Sequence, residues 1–105
     1  MSKISPKSSA KTKTVPYDVA EQLRTPEEMA EYLDAWLTEA PEDASGITRA
    51  LGDIARAKGM SQVARDAGLS RESLYKALSG SGNPSFATVL KVAHALGVRL
   101  HAEAA

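Results

Sequence analysis

Residues 60–79, MSQVARDAGLSRESLYKALS, narrow the fold more than any other stretch: two short apolar-periodic segments flank Gly68-Leu69-Ser70. Glycine reaches the positive φ at which a helix ends, and a serine just beyond it can accept a backbone N–H that opens the next. Ser61 is a candidate cap for the first segment, and Ala64 is small where a second helix must cross closely. Val63, Ala67, Leu69, Leu74, Ala77 and Leu78 fall on an inward side, leaving Arg71, Glu72, Ser73, Tyr75 and Lys76 outward. This is the layout of a helix-turn-helix, and the outward face of its second helix carries the cationic and hydrogen-bonding groups that major-groove reading requires. Ordinary helical hairpins share the spacing, so the surrounding sequence has to decide.

The surroundings supply more helices. Ile47, Ala50, Leu51, Ile54 and Ala55 form an apolar stripe that ends at Lys58 and Gly59. The run SGSGNP at 79–84 is a turn-rich loop, after which Ser85 caps a segment carrying Phe86, Val89, Leu90, Ala93 and Leu96, closed by Gly97. Residues 45–97 are therefore expected to form four or five short helices around one core. His94 is expected at the edge of that core. Val98, Leu100 and Ala102 alternate with Arg99 and His101, which makes Val98 to Ala102 a candidate for a short C-terminal strand with His101 on its exposed face.

Upstream, Thr25-Pro26-Glu27-Glu28 spells a helix start, with Thr25 as cap, proline first and Glu28 completing a capping box. Met29, Leu33, Trp36 and Leu37, with Tyr32 at the margin, give this helix an apolar stripe that Pro41 ends.

The formal net charge is zero, yet it is strongly segregated. Residues 1–16 hold Lys3, Lys7, Lys11 and Lys13 with no acid, and residues 17–44 hold nine acids against Arg24. Residues 45–105 hold eight Lys and Arg against four acids, so the segment with the helix-turn-helix is basic although the whole chain is neutral. The first segment has too little apolar content to offset the entropy of ordering and is expected to be a disordered tail. A net charge of −8 on the second exceeds what solubility needs and would repel DNA, which points to a protein partner with a basic surface.

Other chemistry is missing. The chain has no cysteine, no apolar run near the roughly 20 residues of a membrane span, and no apolar centre after its first lysine, which fits a cytoplasmic protein. Ser73 and Lys76 spell S-x-x-K, but the partner motifs of that nucleophile are absent. The two histidines, His94 and His101, have no carboxylate pattern that suggests a metal, and Gly80 and Gly82 lack the third glycine of a phosphate loop. No cofactor, metal or catalytic residue is expected.

With these residues placed, the chain resembles the addiction-module antidote proteins, HigA-like antitoxins with an XRE or lambda-repressor type helix-turn-helix. The resemblance rests on Tyr17-Asp18 before the acidic helix, on residues 50–61 (ALGDIARAKGMS), on 68–78 (GLSRESLYKAL), and on 82–86 (GNPSF) followed by 89–92 (VLKV). It implies an all-α lambda-repressor-like domain at 45–105 with a central helix-turn-helix, preceded by the acidic helical segment 17–44. It also implies a type II antitoxin that binds a small, basic RelE, ParE or HigB-like toxin and represses its own operon. Candidate DNA contacts are Arg71, Ser73, Tyr75 and Lys76 on the recognition helix, with Ser70 at its cap. Ser61 and Gln62 are placed for phosphates, as are Ser79, Ser81 and Asn83 in the loop. Candidate toxin contacts are Tyr17, Asp18, Glu27, Glu28, Glu31 and Tyr32. A two-fold operator suits a homodimer, formed through the last helix and the terminal strand. Two other readings stand beside this one: a stand-alone phage-type repressor without a toxin, and an antidote whose helix-turn-helix, with Glu72 on it, has lost affinity for DNA.

Overall fold

A computed structural model describes residues 19–105 as a short 3-10 turn, Val19–Gln22, followed by five helices. These are α1 (Pro26–Glu39), α2 (Ala44–Lys58), α3 (Met60–Ala67), α4 (Arg71–Ala77) and α5 (Phe86–Leu96). The expected tail at 1–16 and the candidate contacts Tyr17 and Asp18 lie outside the described residues.

The helix ends follow the local chemistry closely. At the start of α1, Thr25 Oγ1 accepts the Glu28 N–H at 3.1 Å, and Glu28 Oε1 accepts those of Thr25 and Arg24 at 3.0 and 2.7 Å. Asp43 caps α2 by accepting the Gly46 N–H at 2.9 Å, and Ser70 and Ser85 cap α4 and α5 in the same way. Ser61 is a correction. Gly59, at φ 115°, both ends α2 and precedes Met60, and its carbonyl accepts the Val63 N–H at 3.0 Å. Ser61 therefore falls inside α3 and makes no capping bond.

Four helices converge on the centre. Ile54 of α2, Val63 of α3, Leu74 of α4, and Val92 and Leu96 of α5 are the largest fully buried side chains, each contributing about 1.5–3 kcal/mol of transfer free energy. α1 adds Met29, Tyr32, Leu33 and Trp36 and packs on α2. Leu37, expected in that stripe, stays 40% exposed.

The last helix buries Ala93 and Leu96 of its expected stripe and packs Val89 against the core, but not Phe86 or Leu90. α5 packs most extensively on α3 and buries Val92, Ala93, Ala95 and Leu96, whereas Phe86 is 68% and Leu90 46% exposed. Two apolar stripes at helical spacing exist on this helix, and periodicity alone does not choose between them. His94 is exposed rather than at the core edge. No strand occurs among the described residues: after Gly97 the segment Val98 to Ala102 has no neighbouring strand to complete a ladder.

Two contacts bring α2 unusually close to its neighbours. The Trp36 ring lies over Gly46, where an added Cβ would collide with the indole and with the Asp43 carboxylate that caps the helix. At Gly52 a Cβ would stand 3.0 Å from the Leu78 carbonyl oxygen. Gly46→Ala is accordingly expected to lower stability by about 1–2 kcal/mol, because overpacking against a buried indole outweighs the gain of about 1 kcal/mol in helix propensity. Thermal denaturation followed by circular dichroism checks this, and a raised melting temperature would contradict it.

Candidate nucleic-acid interface and acidic face

The turn between α3 and α4 is built by Gly68, whose φ of 74° and ψ of 30° are left-handed. The Leu69 N–H donates to Ala64 O at 2.8 Å and the Gly68 N–H to Arg65 O at 3.2 Å, which satisfies the last carbonyls of α3. Ser70 Oγ accepts the Ser73 N–H at 3.0 Å and donates to Ser73 Oγ at 2.9 Å, so the two hydroxyls act as a unit at the start of α4. Leu74 and Leu78 anchor α4 inward, and Arg71, Glu72, Ser73, Tyr75 and Lys76 are all exposed, as expected. The Arg71 guanidinium carbon stands 5.5 Å from the Tyr75 ring centroid, a cation–π contact worth about 0.5–1 kcal/mol at an exposed position.

The loop after α4 continues this face. Ser79 Oγ donates to Lys76 O at 3.2 Å, lies 3.0 Å from Ser81 Oγ, and accepts the Ser81 N–H at 3.3 Å. Beneath it, Ser45 Oγ donates to Gly80 O at 2.7 Å, and Arg49 Nη1 donates to Ser45 Oγ at 3.0 Å. Sequence reasoning missed Ser45 because its target lies 35 residues further along the chain, and Arg49 because it acts through Ser45. Asn83 is exposed on the same loop, and Ser61 is exposed in the first turn of α3. Gln62 is already engaged: its amide nitrogen donates to both Asp66 oxygens at 3.0 and 3.1 Å, and its oxygen accepts from Arg65 at 3.3 Å.

The acidic segment presents a ridge. Glu27, Glu31 and Asp34 follow i, i+4, i+7 spacing on α1, all are exposed, and none forms an ion pair with a described residue. Glu28, though exposed, is spent on the capping box.

Tyr32 belongs elsewhere. It is 6% exposed, so its ring is a core element and not part of the outward face. Its hydroxyl donates to Asp53 Oδ2 at 2.7 Å, and Asp53 Oδ1 pairs with Arg56 Nη1 at 3.1 Å. Burial, and then donation to the Asp53 carboxylate, push the Tyr32 hydroxyl well above its usual pKa. Tyr32 fastens α1 to α2.

Among the described residues no three His, Asp or Glu side chains gather to hold a metal, and no helix is long and apolar enough to cross a membrane. A family described as "Probable addiction module antidote protein" matches residues 13–104 of the chain. A Haemophilus influenzae protein described as uncharacterized is 56% identical over 87 residues, which cover 83% of this chain and 88% of that protein. No solved structure matches the chain significantly.

Tyr32→Phe is expected to cost about 1–2 kcal/mol at neutral pH by removing a hydrogen bond to a charged acceptor. The raised folded pKa makes this contribution fully present below about pH 10 and lost as the pH rises through the folded value. Urea titrations at pH 7 and pH 11 should therefore show the gap between wild type and variant narrowing at the higher pH. A constant gap would contradict this assignment.

Proposed function

The chain belongs to the addiction-module antidote family, and from that premise we propose that it is a HigA-like type II antitoxin with a lambda-repressor type (XRE) helix-turn-helix. The family is one of antidotes, not enzymes, and a cognate toxin is the partner such a protein serves. In this reading the chain neutralises a small basic toxin of the RelE, ParE or HigB kind through α1, and represses its own operon through α4 as a homodimer.

The observation that carries the reading is the separation of charge between two elements. Glu27, Glu31 and Asp34 repel one another along α1, and like charges at this spacing destabilise a helix by about 0.2–0.5 kcal/mol per pair. No described residue compensates them. A ridge of this kind complements a toxin surface built to hold RNA phosphates, and complementarity there steers encounter and selects the partner.

On α4, Arg71 supports guanine reading, with Ser73, Tyr75 and Lys76 beside it and Ser70 orienting Ser73. Ser61, Ser79, Ser81 and Asn83 support phosphate contacts, and Gln62 joins them on leaving Asp66. Inverted half-sites about 34–36 Å apart suit a two-fold dimer, and exposed Phe86 and Leu90, one turn apart on α5, favour that helix as the shared face.

The test pairs two variants of the full chain. Neutralising the ridge as Glu27→Gln, Glu31→Gln and Asp34→Asn should slow association with the adjacent gene's product, the candidate toxin, at least tenfold at low salt while changing stability by less than about 1 kcal/mol, since relieved repulsion and the loss of Glu27 from the first turn oppose each other. Arg71→Ala should cost about 1–3 kcal/mol in binding to the operon's own promoter and leave toxin binding unchanged. Unaltered toxin association in the ridge variant, or unaltered promoter affinity in the other, would contradict the corresponding half of the reading.

A further inference from the structure

Arg49 reaches from α2 to the loop after α4, and its charge has no role in either surface so far. Its Nη1 donates to Ser45 Oγ at 3.0 Å, and Ser45 Oγ donates in turn to Gly80 O at 2.7 Å. The stem of the arginine lies on Gly80, where an added Cβ would stand 2.6 and 2.9 Å from Arg49 Cγ and Cδ. The missing side chain at position 80 is what admits it.

A guanidinium carries five N–H donors and a charge that stays on at any physiological pH. Only the bond to Ser45 uses one of those donors among the described residues, and there Arg49 forms no ion pair, although it is exposed. Asp53, one turn further along α2, is already engaged by Tyr32 and Arg56. Restraining a long side chain costs conformational entropy, so a cation held in place with its charge unanswered is preorganised for an anion from outside the domain.

Its position says which anion. Arg49 lines a cavity of about 200 Å³ together with Tyr75 and Leu78 and with Ser79, whose hydroxyl is 3.0 Å from that of Ser81. A helix with its side chains is about 10–12 Å across and the major groove about 12 Å wide, so a helix seated there has a phosphate strand along each flank. On the flank of α4 that faces α2, Arg49 supplies the planar donor fork that matches a phosphate, and Ser79 and Ser81 supply hydroxyls next to it.

We propose that Arg49 is a phosphate clamp, gripping the DNA backbone beside the C-terminal end of α4 from outside the helix-turn-helix. The proposal rests on the DNA-binding reading above. The clamp adds affinity and fixes register on every duplex without adding sequence choice, since phosphate contacts carry no base information.

The test uses the full chain as Arg49→Gln, which keeps the Cγ and Cδ atoms that cover Gly80, and as Arg49→Lys, which keeps the charge. Binding to the operon's own promoter and to a scrambled duplex is followed by fluorescence anisotropy across a salt series. In Arg49→Gln the slope of log affinity against log salt should fall by about 0.9 for each copy bound, with the preference for promoter over scrambled DNA retained. Arg49→Lys should recover most of that slope, which a purely structural role in bracing the loop would not produce. A wild-type slope in Arg49→Gln overturns the clamp while leaving the DNA reading in place, provided Arg71→Ala still weakens promoter binding. A slope lowered equally in both Arg49 variants overturns it as well, because the charge would then not be the cause. If the wild-type chain binds neither duplex, the DNA reading fails and the clamp fails with it.

Discussion

Helix α2 is approached at backbone distance on two faces, and the placement of both candidate surfaces depends on those two contacts. Trp36 of α1 lies on Gly46, and the Leu78 carbonyl at the end of α4 comes up to Gly52. Six residues turn an α-helix by about 240°, so the two approaches do not compete for space. One seats the acidic helix, and the other fixes the C-terminal end of α4 and hence the loop that follows it. α2 reinforces both with polar contacts of its own: Asp53 accepts the Tyr32 hydroxyl, and Ser45, held by Arg49, donates to Gly80.

On the proposed reading, this arrangement lets a chain that is neutral overall serve two oppositely charged partners. An acidic ridge on the recognition helix would cancel its field for DNA, and a basic one on α1 would repel a basic toxin. Putting the two on separate helices that share α2 keeps each field local, since charges further apart than about 8–10 Å are largely screened at physiological salt. The ridge carries a modest cost in helix stability, which the capping box at Thr25 and Glu28 and the Tyr32 anchor offset.

Where a structural element depends on chemistry within a few residues, the sequence is largely sufficient, with the cap expected at Ser61 the exception. The capping box of α1, the left-handed turn at Gly68 and the caps at Ser70 and Ser85 are all local, and all are found where the residues imply. Features set by tertiary contact were not readable in the same way. Phe86 and Leu90 share helical spacing with the buried stripe of α5, and only the docking of that helix on α3 decides which faces inward. Tyr32 reads as the margin of the α1 stripe and a candidate toxin contact because its acceptor, Asp53, is 21 positions away. The same distance problem hides Ser45, and with it Arg49, which donates to the Ser45 hydroxyl. The expected strand at Val98 to Ala102 had the right alternation but no neighbour to pair with.

The central claim is that toxin and DNA use different elements of one small domain. Mapping amide chemical-shift changes by NMR on the 11.1 kDa chain, with the candidate toxin and separately with promoter DNA, tests this most directly. The account predicts toxin-induced changes centred on Glu27 to Thr38, and DNA-induced changes centred on Ser61–Gln62, Ser70 to Lys76 and Ser79 to Asn83. Toxin-induced changes centred on Arg71 to Lys76 would contradict it.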